Sequence, residues 1–283
     1  MLTGPARRVK YCGQVRVRGK IAVEMKRNPT SEGALLRREQ ALREWCRRPL
    51  GRALLQAERA VLDEILCNVF GYHLVVVEPG CDPGALDASR IMHQVVQTAS
   101  PVGLERTAGV IGLPERLPYL SDSIDALLLP HTLELAEDPH GVLREAERCL
   151  VPEGHLIVLG FNPWGLWGLR RLFGLRGRRT PWSLRFIGQA RLRDWLSLLG
   201  FDTVHARYLF PHPPWSWGLG SERRGLLHRL HRPHWPLLAA SYVLVARKRV
   251  ATLTPIKPRW RPRRAILAGG VVESRDGGLP GHG

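Results

Sequence analysis

From Ser31 onward the chain carries apolar residues at Leu35, Leu42 and Trp45. A second set follows at Leu54, Leu55, Val61, Leu62, Ile65, Leu66 and Phe70. This second set repeats at i, i+3 or i+4, the period of an amphipathic helix. Pro49 stands where a missing N–H costs nothing, and Gly71 lies just past the end. The period then changes. Leu74-Val75-Val76-Val77 is a continuous apolar, β-branched run that stops at Glu78 and a turn rich in Gly and Pro, the pattern of a strand buried on both faces. Similar runs occupy 94–98, 108–111, 124–129 and 156–161, and helical patterns intervene at 139–150 and 189–199. Two further strands, 203–210 and 241–249, come after an insertion rich in Trp and Arg. Strands alternating with helices predict an α/β domain over 31–250, with helices on both faces of a mostly parallel sheet. Residues 1–30 are basic and aperiodic, which predicts a flexible extension. From Ala251 to the end Pro, Arg and Gly dominate, which predicts an extended tail.

Charge changes this picture more than composition does. The net charge is +17, but it is unevenly spread. Residues 72–161 carry 5 Lys and Arg against 13 Asp and Glu, a balance of −8, whereas residues 162–264 carry 21 against 3, a balance of +18. A basic carboxy-terminal half suits RNA or an anionic membrane surface. Two plainer explanations stay open: an Arg-rich genome composition, or docking of the basic run 257–264 onto the acidic half of the same chain. No stretch approaches the 18–20 apolar residues of a membrane span, and the first 25 residues lack the apolar centre of an export signal. The five cysteines (Cys12, Cys46, Cys67, Cys81, Cys149) form no CxxC pair. They are expected to be small buried hydrophobes in a reducing cytoplasm, with neither a disulfide framework nor a metal site. His228, His231 and His234 are spaced like ligands, but arginines and a proline surround them and carboxylates do not, so no metal is expected there. The amphipathic segment Trp164 to Phe173 is expected to be an active-site cover packed on the core, with a membrane-surface placement as the alternative.

In an open α/β sheet, ligands bind beyond the carboxyl ends of the strands. The first such end reads Glu78-Pro79-Gly80-Cys81-Asp82-Pro83-Gly84. Downstream come Leu113-Pro114-Glu115-Arg116-Leu117-Pro118-Tyr119, then Ser121-Asp122-Ser123-Ile124-Asp125, then Leu133-Glu134 and Asp138-Pro139. The helix ending Glu145-Ala146-Glu147-Arg148-Cys149-Leu150 leads into Val151-Pro152-Glu153-Gly154. In this order and spacing, over Leu74 to Phe161, the chain resembles the type 11 family of class I S-adenosylmethionine-dependent methyltransferases. The resemblance implies a Rossmann-like, seven-stranded, mostly parallel sheet whose last strand is antiparallel. It also implies S-adenosyl-L-methionine as cofactor, held by Glu78, Gly80, Cys81 and Gly84, with Ser100 near the ribose and Leu113 and Pro114 near the adenine.

The departures from the family pattern fall at the same site. Asp82 replaces the middle glycine of the first turn. The second strand ends Thr98-Ala99-Ser100, where the family has a ribose-binding acid, and Leu113 stands where an acid usually meets the adenine. Each lost hydrogen bond to a charged acceptor costs about 1.5–3 kcal/mol, so weak cofactor binding is expected. Methyl transfer from a sulfonium needs chiefly alignment, and a base only if the acceptor must lose a proton. His131, after the fourth strand, is the candidate base, and Asn162, after the fifth, a second polar group for the same cleft. Three functions follow: methyl transfer to an unidentified acceptor, a weakened or inactive methyltransferase fold that binds RNA or another anion through 162–264, or a membrane-surface methyltransferase of a quinone-like acceptor. Gly80→Val is expected to abolish binding of S-adenosylhomocysteine in calorimetry while circular dichroism stays unchanged. A Cβ branch would block the turn and leave the sheet behind it intact.

Overall fold

The computed structural model describes residues 15–17, 20–22, 29–78, 86–99, 109–172, 181, 183–210, 237 and 239–250. Nine strands form one sheet. They are β1 (Val15–Val17), β2 (Lys20–Ala22), β3 (His73–Val77), β4 (His93–Thr98), β5 (Gly109–Ile111), β6 (Ile124–Pro130), β7 (Leu150–Phe161), β8 (Phe201–Leu209) and β9 (Ser241–Lys248). The helices are α1 (Pro29–Cys46), α2 (Pro49–Leu66), α3 (Thr132–Leu135), α4 (Pro139–Cys149), α5 (Leu166–Leu172) and α6 (Gln189–Leu198). The sheet order is β1-β2-β5-β4-β3-β6-β7-β9-β8. From β5 to β8 these are the seven expected strands. β9 runs antiparallel to both β7 and β8.

β3 lies at the middle because it is apolar on both faces. Val75 pairs with Val95 of β4 on one side and Leu127 of β6 on the other, all in parallel register. Alternate side chains then feed two separate cores. Leu74 and Val76 join Leu54, Leu62 and Leu66 of α2 and Trp167 of α5 on one face. Val75 and Val77 join Val142 and Ala146 of α4 and Leu192 and Leu196 of α6 on the other. Trp167 is fully buried and meets Trp45 edge-on, with centroids 5.8 Å apart, so α5 packs on the core. Among the described residues, no helix is long and apolar enough to cross a membrane.

The amino-terminal extension departs from expectation. β1 and β2 form an antiparallel hairpin, and β2 adds in parallel to β5, pairing Ile21 with Val110. The short β5 thus gains a neighbour and does not end the sheet. Isolated strands of three residues have no pattern to detect, and an edge that accepts them is visible only once β5 is in place. The first compact unit of the chain ends at Val250. The tail expected from Ala251 and the histidines at 228, 231 and 234 lie outside the described residues.

Candidate cofactor site and a buried histidine

Four parallel strands end at one edge, and side chains and backbone tie their ends together. The Glu78 amide donates to Gln97 O (2.8 Å) and the Gly112 amide to Thr98 O (3.0 Å). Gln97 Nε2 donates to Leu113 O (3.2 Å), and Thr132 Oγ1 to Val77 O (2.7 Å). A small pocket opens there. Its wall brings Val77, Glu78, Ala99 and Pro114 from the strand ends together with Thr132 and Leu135 of α3 and Leu35 and Glu39 of α1. Of the expected cofactor residues, Glu78 and Pro114 therefore share one pocket, and Leu113 is held beside it by Gln97. Gly80, Cys81, Gly84 and Ser100 lie outside the described residues.

Glu39 was not singled out from the sequence, although its spacing carried the signal. It falls four residues after Leu35 and three before Leu42, inside the apolar stripe of α1, and is only 5% exposed. Oε2 is buried without a hydrogen-bond partner. Burial pushes the Glu39 carboxyl up to about 7, against the opposing charge of Arg43 and a backbone hydrogen bond at Ala99, with Glu115 adding to the rise. A donor group is what this oxygen lacks. The chemistry of this oxygen thus suits a cofactor that brings hydroxyls or amines to the carboxyl ends of β3 and β4.

The structure places both His131 and Asn162 in buried hydrogen-bond networks. His131 is 3% exposed, and both ring nitrogens face carboxylates: Nδ1 lies 2.9 Å from Glu134 Oε2, and Nε2 lies 3.3 Å from each oxygen of Glu58. Phe161 stacks on the ring at 4.2 Å between centroids, and its amide donates to Glu134 Oε1. Burial opposes a charge on His131, but Glu58 and Glu134 raise its pKa well above the ordinary histidine value. Both ring nitrogens thus face carboxylates, and in the protonated form that these carboxylates favour the ring has no lone pair to act as a base. Its backbone adopts the left-handed conformation (φ 52°) that turns β6 into α3. Glu58 also sits in a leucine stripe, four residues from both Leu54 and Leu62, so its spacing again marked a buried acid. Asn162 is 1% exposed and fully engaged: Nδ2 donates to Ala239 O, and Oδ1 accepts from the Trp164 amide, both at 3.1 Å. It closes the turn after β7 with one hydrogen bond from each side-chain polar atom.

The downstream motifs prove to be scaffolding. Glu145 Oε2 accepts from the Leu117 amide (3.0 Å), while Arg148 donates to Leu117 O (3.0 Å) and Tyr119 O (2.9 Å) and pairs with Glu145 (2.8 Å). One ion pair on α4 thus clamps the Leu-Pro segment that follows β5. The cysteines divide. Cys149 is buried, and desolvation pushes its thiol up to about 12, whereas Cys67 is exposed, contrary to expectation. Among the described residues no group of three or more His, Cys, Asp and Glu is arranged to hold a metal ion.

Comparison with known proteins settles the relationship. A family profile described as a methyltransferase domain matches residues 71–158. The Escherichia coli (strain K12) protein YafS, described as uncharacterized, is 34% identical over 234 residues, which span 82% of this chain and 92% of YafS. The chain belongs to the type 11 family of class I S-adenosylmethionine-dependent methyltransferases. A SAM-dependent methyltransferase from Thermotoga maritima has the same fold (TM-score 0.53, 19% identity), covering 77% of this chain and all of its own. So does a chain from the complex of the Haloferax volcanii Trm112 methyltransferase activator with a methyltransferase (TM-score 0.50, 15% identity), covering 80% of this chain and all of its own. In this methyltransferase, residues from α1, α3, the ends of β3 and β4 and the turn after β5 jointly line the strand-end pocket.

Two stability measurements check this electrostatic account. His131→Leu leaves Glu58 and Glu134 buried without their cation, and is expected to destabilise the domain by about 3–5 kcal/mol in urea titration at pH 7. Glu39 has a folded pKa above its unfolded value of 4.5, so its contribution to stability is fully present below 4.5 and falls as pH rises through about 7. Glu39→Gln should therefore match the wild type near pH 4.5 and exceed it by about 3 kcal/mol at pH 8.5 in the absence of ligand. A constant difference across that range would contradict the assignment.

Proposed function

We propose that this methyltransferase moves the methyl group of S-adenosylmethionine to an anionic acceptor that approaches over the carboxyl ends of β6 and β7. The pocket at the ends of β3 and β4, with its unsatisfied Glu39 oxygen, carries the cofactor half of this reading. When bound, the cofactor supplies a methyl group on a positively charged sulfur. The chain's own part is to hold and align. With His131 held between Glu134 and Glu58 and Asn162 closing a turn, these two groups position the cleft and leave the acceptor's proton alone. The acceptor atom is accordingly one that is nucleophilic without deprotonation by either group.

The anionic character of the acceptor rests on charge. Arg185, Arg191 and Arg193 are exposed on the segment that leads into and through α6, within the half whose balance is +18. RNA and an anionic lipid surface are the two carriers that fit such a face, in a reducing cytoplasm that suits the free thiols. Calorimetry with S-adenosylhomocysteine is expected to give binding weaker than micromolar, because the strand-end acids are missing. Absence of heat at millimolar ligand would overturn the enzyme reading. Binding to an RNA oligomer or to anionic vesicles should weaken steeply with salt. Retention on neither probe at low salt would remove the anionic acceptor and leave the methyltransferase activity standing.

A further inference from the structure

We propose that Glu39, from the first helix, is the ribose-binding carboxylate of this enzyme, replacing the acid that β4 does not carry. The inference rests on the cofactor reading above and names the residue that makes it work.

Geometry supports this in three steps. The chain leaves β3 in opposite directions, to β4 on one side and β6 on the other, so the crevice for a nucleoside-bearing ligand opens at β3. In such sheets the sugar hydroxyls meet an acid near the end of the next strand out. Here that strand ends Thr98-Ala99, with no carboxylate in either residue. Glu39 reaches this same spot from α1. It lines the pocket beside Ala99 and Glu78, and is held against the Ala99 backbone.

The second step is the valence left open. Glu39 is 95% buried, its Oε2 has no hydrogen-bond partner, and it lines the pocket where the ligand would enter. Two hydroxyl donors on adjacent carbons suit a carboxylate, which only accepts. The third step is the surroundings. On α1, Arg43 lies one turn away and favours the ionised form; Glu115, after β5, opposes it. The other charged group on the wall is Glu78, while α3 contributes only Thr132 and Leu135. The site therefore holds Glu39 partly protonated near neutral pH until hydroxyl donors arrive and stabilise the carboxylate. Ligand binding and ionisation of Glu39 are thereby coupled.

The coupling gives a signature that a merely structural glutamate would not produce. In calorimetry of the full-length protein at pH 6.5, 5′-methylthioadenosine is expected to bind with net proton release, read from heats in two buffers of different ionisation enthalpy. Its 2′-deoxy counterpart should bind roughly 10- to 100-fold more weakly, with less proton release. Glu39→Gln should lose both the preference for the ribose form and the proton release, and Glu39→Asp should restore part of each. Wild-type protein that binds both nucleosides equally without proton release overturns the assignment, and needs no variant to fold. So does a Glu39→Gln protein that retains the full preference. If wild-type protein binds neither nucleoside nor S-adenosylhomocysteine, the cofactor reading itself falls, a result distinct from either of these.

Discussion

His131 stands between Glu58 and Glu134 where the sixth strand leaves the sheet, and four elements converge on that one ring. Glu58 comes from α2, Glu134 from α3, the stacked Phe161 and its amide from β7, and the histidine itself from the end of β6. Removing three ionisable groups from water is costly, and their mutual attraction offsets that cost only if the geometry is held closely. The arrangement is therefore less a source of net stability than a constraint on position. It fixes how α2 lies across the sheet and how the chain turns from β6 into α3. Thr132, the next residue, then hydrogen-bonds to the end of β3 and lines the pocket at the strand ends.

The same device appears twice with different endings. Glu58 and Glu39 each interrupt an apolar stripe, on consecutive helices packed on one face of the sheet. Glu58 finds a cation. Glu39 finds only a backbone hydrogen bond and the charge of Arg43 one turn along α1, so burial dominates and its carboxyl is pushed up to about 7. A fold that tolerates an unsatisfied buried acid stores a binding preference at that point, because a donor group brought by a ligand restores what burial removed.

Charge asymmetry along the chain has an internal share as well as an external one. On β8 and β9, Arg207 pairs with Glu64, Arg247 with Glu153, and Lys248 with Asp122 and Glu147. These contacts join the basic half to acids earlier in the chain. Lys248 also donates to the carbonyls of Glu147 (2.7 Å) and Leu150 (2.9 Å), where a cation favours the carboxyl end of α4. Exposed pairs of this kind contribute little energy. They do show that intramolecular neutralisation accounts for some of the positive charge, while Arg185, Arg191 and Arg193 around α6 are among the arginines that face solvent.

Local sequence determined most of the architecture. Continuous β-branched runs marked the parallel strands, helical periodicity marked α2, α4 and α6, and the turn after Val77 with the Leu-Pro and Glu-x-x-Arg segments marked the family. These signals are legible because strand and helix periods, and the residue types that tight turns require, are properties of neighbours in the chain. The surroundings of His131, Asn162, Glu39 and Glu58 were decided only by tertiary structure. A histidine after a strand reads as a base until two carboxylates from other elements occupy both its nitrogens. A glutamate in a leucine stripe reads as an exception until the sheet buries it. The short strands β1 and β2 pair only because β5 presents an edge. Protonation and hydrogen-bond satisfaction depend on what lies across space, and the chain's order of residues states that only after it has folded.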